Sequence, residues 1–335
     1  MSLSLISRKA YAYNIEPMAL SKATPSQPQT NPFEQLILDS HNNPHEIQSR
    51  YETHRTNRNA RSREKLLHQD FPGWQTDSIL SKLIAATNNA ESPFTDHRHN
   101  LNLYARPPRH IRELIAEIQQ EIRDVASTLW FLPPESLHIT TLEIASSRTA
   151  DEIDALAASL LNSGTASKLV NYTSDTHHRA RLVKPVVSYD SSATALSFLP
   201  AAGEPTAHSK EVERPGNDDS NDGYSYHHLR RDLAGLVLDS GVSLGARYVV
   251  PSAHVTIARF VERDGKEVDE KKVAALVERI ERVNATLRER YWPEKDGSVP
   301  VKGEWVVGQE YGLEFNKGTS WYGGGEKVLV GKGSQ

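Results

Sequence analysis

The sequence predicts an α/β (α+β) fold built from two related halves, and three observations lead to that prediction. The order strand–helix–strand occurs twice, once within residues 100–145 and once within residues 181–260. Each of these units ends in an apolar strand that carries a histidine. The two histidine strands, 137–142 and 253–258, align with each other without a gap.

In the first half, residues 100–106 alternate apolar and polar side chains as a strand does. Pro107 and Pro108 end that strand and begin a helix, and a strand over 137–145 and a helix over 152–161 follow. The helix after the prolines has apolar residues at helical spacing, which predicts one face packed on a core. These residues are Ile111, Leu114, Ile115, Ile118, Ile122 and Val125.

In the second half, residues 181–199 predict two strands with a turn near Ser191, and residues 226–240 predict a helix that leads to the second histidine strand. Residues 202–223 between them are polar, charged and interrupted by glycine and proline. Such a composition predicts a disordered insertion. The closing elements are predicted to be a helix over 268–291 and strands around 305–315 and 327–330.

The N-terminal part of the chain differs in composition from the rest. Residues 1–33 are predicted to be a flexible leader and residues 34–92 a helical, basic extension, followed by the main domain over 93–335. Within the extension, residues 44–69 carry more basic than acidic side chains. Two interpretations of this helix remain open: a basic arm that faces RNA, or a solvated helix laid over the domain.

The composition excludes several classes of protein. The chain has 39 basic and 43 acidic side chains and a formal net charge of −4, which argues against nucleic-acid binding by bulk charge but not against a local basic groove. The absence of cysteine excludes disulfides, thiolate zinc sites and a cysteine nucleophile. The pairs His177–His178 and His227–His228 lack partners at ligand spacing, so we expect neither a metal nor another cofactor.

The location of the protein is only loosely constrained. No apolar stretch is long enough to cross a bilayer, and the first residues lack the layout of a secretory signal. We therefore expect an intracellular monomer, cytoplasmic or nuclear, that does not act at a membrane. A mitochondrial presequence is an open alternative, because the first fifteen residues contain no acidic side chain.

The candidate site lies on the two histidine strands. Each carries His-x-Thr, and residues i and i+2 of a strand share a face, so His138 lies beside Thr140 and His254 beside Thr256. One such match is weak evidence, since the chain has 14 histidines, and a third match at His54 falls by chance in the charged helical segment. The two motifs, 116 residues apart, have similar apolar residues around the histidine, and this similarity favours two related halves that face each other.

Two facing histidines suit the hydrolysis of a phosphodiester. The reaction needs a base to activate the attacking oxygen and an acid to protonate the leaving oxygen, and histidine with a pKa near 6.5 can do either. Attack and departure occur on opposite sides of phosphorus, so the two groups should come from opposite sides of a cleft. The threonine hydroxyls can donate to the non-bridging oxygens.

The paired strands resemble the signature motifs of the two-histidine (2H) phosphoesterase superfamily, which includes bacterial RNA 2′,3′-cyclic phosphodiesterase/2′-5′ ligase-like proteins. The resemblance covers roughly residues 95–330. The phrases LYARPP, LHITTLEI and WYGGGEKVLVG are similar to fungal RNA ligase/cyclic nucleotide phosphodiesterase-like proteins. The long insertion between the halves departs from the family pattern.

The resemblance implies a bilobal fold in which two small, mainly antiparallel sheets flank a central cleft, with helices outside. It implies His138 and His254 as the catalytic residues and Thr140 and Thr256 as phosphate-binding residues. It also implies that His254 is the base and His138 the acid.

Several residues outside the two motifs are further candidates for the site. Strict alternation puts Arg259 on the face opposite His254, unless a bulge re-aims it. Gly323–Gly325 predict a turn rather than a phosphate loop, because neither Lys-Ser/Thr nor a helix start follows. Four aromatic residues are candidates for stacking on a base, although a place in the core is the usual alternative: Tyr104, Tyr189, Trp321 and Tyr322.

These features predict a metal-independent phosphodiesterase, a phosphoric diester hydrolase with a role in RNA processing. Its expected substrates are 2′,3′-cyclic phosphate ends of RNA or small cyclic nucleotides. The alternatives that remain open are a non-catalytic RNA- or nucleotide-binding module, a 2′-5′ RNA ligase-like activity, and an interaction protein in which the two histidines are structural.

Overall fold

The computed structural model describes residues 29–88, 94–126, 129–205, 222–245, 249–261, 269–294 and 299–333. Residues 31–335 form one compact unit. The predicted flexible leader as far as residue 28 lies outside the described residues, as do residues 206–221 of the insertion predicted over 202–223.

The helices follow the amphipathic segments of the sequence. Asn43 caps the longest helix by accepting hydrogen bonds from the backbone N–H groups of His45 and Glu46, and Thr149 with Glu152 forms a capping box on another. The helices within the described residues are α1 (Glu34–Asp39), α2 (Pro44–Leu66), α3 (Ser78–Asn88), α4 (Arg109–Arg123), α5 (Ala150–Asn162), α6 (Thr165–Val170), α7 (Tyr226–Asp239) and α8 (Glu270–Tyr291).

The strands pair antiparallel throughout the described residues, so the mixed α+β class agrees with the prediction. The strands are β1 (His99–Ala105), β2 (Leu129–Phe131), β3 (Ile139–Arg148), β4 (Arg181–Tyr189), β5 (Ala193–Pro200), β6 (Ala253–Phe260), β7 (Trp305–Val306), β8 (Tyr311–Gly318) and β9 (Glu326–Lys332).

The two halves are joined into one sheet rather than forming two separate sheets. The strand order is β7-β4-β5-β6-β3-β1-β8-β9, with β2 also paired to β6. The histidine strands β3 and β6 are therefore the innermost strands of their halves, each with three further strands outside it. They meet through a single residue pair, Ile139 with Val255. The sequence instead predicts a cleft between two separate sheets at this place.

Apolar residues on one face of the histidine strands pack against the helices. Ile139, Val255 and Ile257 are at most 1% exposed. Helix α4 packs against β6, and Gln119 of this helix donates hydrogen bonds of 2.9 Å to the carbonyl oxygens of Leu132 and Ile257. The period of two in a strand then leaves the opposite face to the histidines.

The N-terminal extension is part of the folded unit, and the predicted leader ends earlier than residue 33. Phe33 is 1% exposed, and the side-chain amide of Asn31 donates to the carbonyl of Arg231 over 2.7 Å. His227 of α7 bridges the extension, because its Nε2 bonds the carbonyl of Phe33 at 3.0 Å and its Nδ1 bonds the Tyr51 hydroxyl at 2.9 Å. Since a carbonyl only accepts, Nε2 carries the proton and Nδ1 accepts.

Helix α2 lies over strands β4 and β5. Its buried side includes Ile47 and Tyr51, and it also buries the charged side chain of Arg55, which donates to the carbonyl of Lys184 at 2.7 Å. Of the two interpretations of the charged segment, a helix laid over the domain matches this position. The other side of the helix carries charge toward solvent.

We predict that Phe33→Ala lowers the free energy of unfolding by about 3 kcal/mol or more, the usual cost of emptying a buried phenylalanine site. The control is Leu38→Ala in the neighbouring helix, where the side chain is 58% exposed. Urea unfolding followed by circular dichroism measures both. Equal, small losses of unfolding free energy in the two variants would indicate that residues 31–33 belong to the flexible leader.

Candidate active site

The Ile139–Val255 pair sets the geometry of the two His-x-Thr motifs. Regular antiparallel geometry continued from this pair puts His138, the residue just before β3, opposite Thr256, and puts Thr140 opposite His254. The four side chains share the face opposite the buried isoleucine and valine. They form a quartet in which the two histidines are diagonal neighbours, about 7–8 Å apart in a regular sheet.

The imidazole of His138 is held from two sides. Its Nδ1 donates to the carbonyl of Ser136 over 2.7 Å, so Nε2 is the nitrogen left for reaction chemistry. The ring stacks on Tyr104 with a centroid separation of 3.9 Å, and the Tyr104 hydroxyl donates to the carbonyl of Ser320. Burial lowers the pKa of His138 to about 4, opposed in part by the hydrogen bond to Ser136.

His254 is held differently, at the wall between the sheet and α2. Its Nδ1 lies 3.2 Å from the hydroxyl of Ser252. A cavity of about 50 Å³ beside it is also lined by Thr256, His54 and Arg58. Burial lowers the pKa of His254 to about 3, and the nearby Arg58 adds to the shift.

The position of His54 corrects one detail of the sequence analysis. The His-x-Thr match at this residue is accidental as a strand motif, since His54 lies in a helix. Its side chain nevertheless lines the same cavity as His254. The fold brings His54 close to His254, although the two residues are far apart in the sequence.

Arg259 lies on the histidine face, contrary to the prediction from strict alternation. Strand β5 pairs Ala195 with Thr256 and then Thr194 with Ala258, so Ile257 is an extra residue in β6. This bulge shifts the alternation by one. Arg259 therefore lies opposite Ala193, which lines the cavity with His254.

The guanidinium of Arg259 is placed by the extension and by the closing strands. Its Nη1 lies 3.8 Å from a carboxylate oxygen of Asp77, and it sits over the ring of Tyr322 at 5.7 Å. The Tyr322 hydroxyl donates to Asp77 over 2.8 Å and accepts from Arg98. The buried Nε of Arg259 has no hydrogen-bond partner among the described residues, so an anion could satisfy it.

The four aromatic candidates occupy different places. Tyr322 borders the site beside Arg259, and Trp130, which the sequence analysis did not single out, pairs with Arg259 in the sheet and meets the Tyr322 ring edge-on at 6.2 Å. Trp321 lies under the guanidinium of Arg98 at 5.0 Å.

Two of the candidates are buried and are not placed to stack on a base. Tyr104 is 2% exposed, and its ring faces His138. Tyr189 is 5% exposed and follows Ser188, the cavity-lining residue of β4, so alternation turns it to the other face. Burial and the nearby carboxylate of Glu281 raise the pKa of Tyr189 to about 12.

The described residues contain neither a metal-binding cluster nor a membrane-spanning helix. No group of three or more histidine, aspartate or glutamate side chains there is close enough together to hold a metal ion. No helix in the described ranges is long and apolar enough to cross a membrane.

Comparisons with known proteins leave the family open. No protein-family model matches the sequence, and no curated protein does. A solved structure of a conserved protein of unknown function from Agrobacterium tumefaciens is similar over 72% of this chain and 89% of its own, with 15% identity and a TM-score of 0.42. A likeness at this level supports no functional assignment.

We predict that both histidines are neutral at about pH 6 in the free protein, since their pKa values lie below the ordinary value of about 6.5. An anion bound between them should raise both pKa values. NMR titration of the imidazole nitrogens, with and without inorganic phosphate, measures this, and His138→Ala assigns the resonances. Titration near pH 6.5 in the free protein would contradict the prediction.

The same shifts have a consequence for stability. A histidine with a lowered pKa in the folded state stabilises the fold above the unfolded pKa of about 6.5. That stabilisation is lost as the pH falls from there toward the folded values of about 4 and about 3.

Proposed function

We propose that the protein hydrolyses 2′,3′-cyclic phosphate ends of RNA or small cyclic nucleotides. The observation that carries this proposal is the Ile139–Val255 pair, since regular antiparallel geometry around it puts each histidine of the quartet opposite the threonine of the other motif. Two imidazoles supply both proton transfers that the reaction requires, so the mechanism needs no metal.

The phosphate group sits over the Ile139–Val255 pair, between the two diagonal histidines. One neutral imidazole takes a proton from water at Nε2 while the water oxygen bonds to phosphorus. The bond from phosphorus to one ribose oxygen breaks, and that oxygen takes a proton from the other, protonated imidazole. The product is a ribose phosphate monoester.

The low pKa values of the free site are compatible with this mechanism. An acid role requires a protonated imidazole, and the negative charge of a bound phosphodiester favours that form. Because His138 lowers the pKa of His254, the two imidazoles are expected to titrate as a coupled pair with macroscopic pKa values. Turnover should then depend on pH through a bell-shaped profile.

Stabilisation of the non-bridging oxygens falls to three groups. The hydroxyls of Thr140 and Thr256 flank the phosphate, and the Arg259 guanidinium supplies a full positive charge. The cavity beside His254, at about 50 Å³, has room for only a few waters. The nucleoside therefore lies over the open face of the sheet, toward Tyr322 and Trp130.

The roles within the pair rest on the family resemblance, with His254 as base and His138 as acid. The quartet itself is nearly symmetric about the Ile139–Val255 pair. With a ribose 5′-hydroxyl in place of water as the nucleophile, the same proton transfers join that hydroxyl to the cyclic phosphate while one ribose oxygen leaves, which is the 2′-5′ ligase-like alternative. A binding module without turnover is the other alternative.

We predict that His138→Ala and His254→Ala each lower kcat at least about a hundredfold, the usual scale for loss of an acid or base. The matched control is His45→Ala, an exposed histidine of α2, which should keep wild-type turnover. Initial rates on a panel of nucleoside 2′,3′-cyclic phosphates measure the effect. Losses below tenfold in folded variants would refute the catalytic assignment.

Two further arms of that assay separate the alternatives. Activity should survive a chelator, and a loss that a divalent ion restores would contradict the metal-independent mechanism. Binding of a cyclic nucleotide without any turnover by the wild-type protein would favour the binding module.

We predict that Arg259→Ala lowers kcat/KM about a hundredfold, because a charge that stabilises the transferring phosphate is lost. Arg259→Lys should recover part of the activity, since it keeps the charge without the fork of N–H donors. Arg282→Ala, an exposed arginine on α8, is the control. If Arg259→Ala and the control behave alike, Arg259 is only a structural arginine.

A further inference from the structure

Helix α2 has two edges that differ in what they face. On the edge toward the sheet of β4 and the helix α8, Asn59 lies near the carbonyl of Val187 and Arg63 is paired with Glu281 at 2.6 Å. The other edge carries His54, Arg58 and Arg61, at helical spacing i, i+4 and i+7. This second set is called the cationic edge below.

The cationic edge begins at the candidate active site. His54 and Arg58 line the cavity that also contains the side chains of His254 and Thr256. Asp190 holds the Arg58 guanidinium in place through an ion pair of 2.7 Å, and Ser192 in turn donates to Asp190. The ion pair therefore holds the arginine at the wall of the cavity, with 40% of its side chain exposed to solvent.

The cationic edge then continues away from the catalytic histidines. Arg61 lies one turn beyond Arg58, about 4.5 Å farther along the helix axis. Its side chain is exposed, and within the described ranges it makes no ion pair. Burial lowers the pKa of His54, and the positive charges of Arg58 and Arg61 on the same edge of the helix lower that pKa further.

A row of positive charge beside a phosphodiester site points to a second anion. The nucleotide that carries a terminal 2′,3′-cyclic phosphate has one other position for a phosphate in an RNA chain, the 5′ oxygen. We propose that the cationic edge of α2 is a second anion subsite, which binds the phosphate on the 5′ side of the nucleotide whose cyclic phosphate is cleaved. This inference rests on the proposed function.

The subsite would give the protein a preference among cyclic phosphates. A guanidinium binds phosphate through charge-assisted hydrogen bonds, and one such contact is worth about a factor of ten. The shared ligand is the 5′ phosphate, whether it belongs to a small phosphorylated nucleotide or to an RNA chain.

The test compares three substrates on the full chain: a nucleoside 2′,3′-cyclic phosphate, the same compound with a 5′-phosphate, and a short oligonucleotide with the same 3′ end. In the wild type, the 5′-phosphate should raise kcat/KM about tenfold. In Arg61→Ala and in Arg58→Ala/Arg61→Ala this ratio should fall toward one. Arg63→Ala, on the opposite edge of the same helix, should keep the wild-type ratio.

The ratio separates this proposal from the proposed function. Turnover of the plain cyclic phosphate with a wild-type ratio near one would overturn the subsite and leave the proposed function intact. Equal values for the 5′-phosphorylated nucleotide and the oligonucleotide would identify a single phosphate as the ligand, whereas a further gain with length would identify RNA.

A binding measurement covers the case in which no cyclic phosphate is turned over and the proposed function fails. The affinity for a labelled oligonucleotide is then measured by anisotropy at several salt concentrations. The plot of the logarithm of the association constant against the logarithm of the salt concentration has a negative slope. Its magnitude should be smaller by about 0.7 in Arg61→Ala than in Arg63→Ala, as expected for the loss of one phosphate contact to a single strand. Equal slopes would overturn the subsite.

Discussion

The antiparallel pair of Ile139 and Val255 is the constraint on which the candidate site depends. Both side chains are buried, so each must point away from the histidine face. A slip of one residue in either strand would bury its histidine and expose its apolar residues. The cost of that exchange fixes the register, and the register places each histidine opposite the threonine of the other motif. Core packing on one face thus sets the chemistry of the other.

Electrostatics at the site follow from the same arrangement. Arg58, Arg230 and Arg259 all disfavour protonation of His254, in addition to its burial. A site that is positive and partly desolvated keeps its histidines neutral while it is empty. A phosphodiester bound as proposed would relieve the repulsion among these groups and favour the protonated imidazole. The proposed affinity for an anion and the low pKa values of the free site would therefore have one common cause.

The sequence predicted the parts of the site that depend on local period, and it missed the parts that depend on distant partners. His138 and Thr140 share a face because side chains in a strand alternate. Arg259 breaks that rule because of a bulge whose register is set by Ala193 and Ala195, some 65 residues earlier in the chain. Likewise, nothing local distinguishes Tyr189, in the core, from Tyr322, at the site. The helical spacing of the residues of the cationic edge is visible in the sequence, but the position of this edge beside His254 is visible only in the structure.

The N-terminal extension matters more to the site than its composition indicated. Asp77 pairs with Arg259 on the histidine face, and Arg58 lines the cavity beside His254. The extension is also tied to the histidine strand through α7, since His227 bonds the carbonyl of Phe33 while the neighbouring Tyr226 donates to the carbonyl of Thr140. The groups that shift the pKa values of the two histidines thus come partly from outside the two halves. It follows that the two related halves alone do not make up the candidate site; the extension contributes to it.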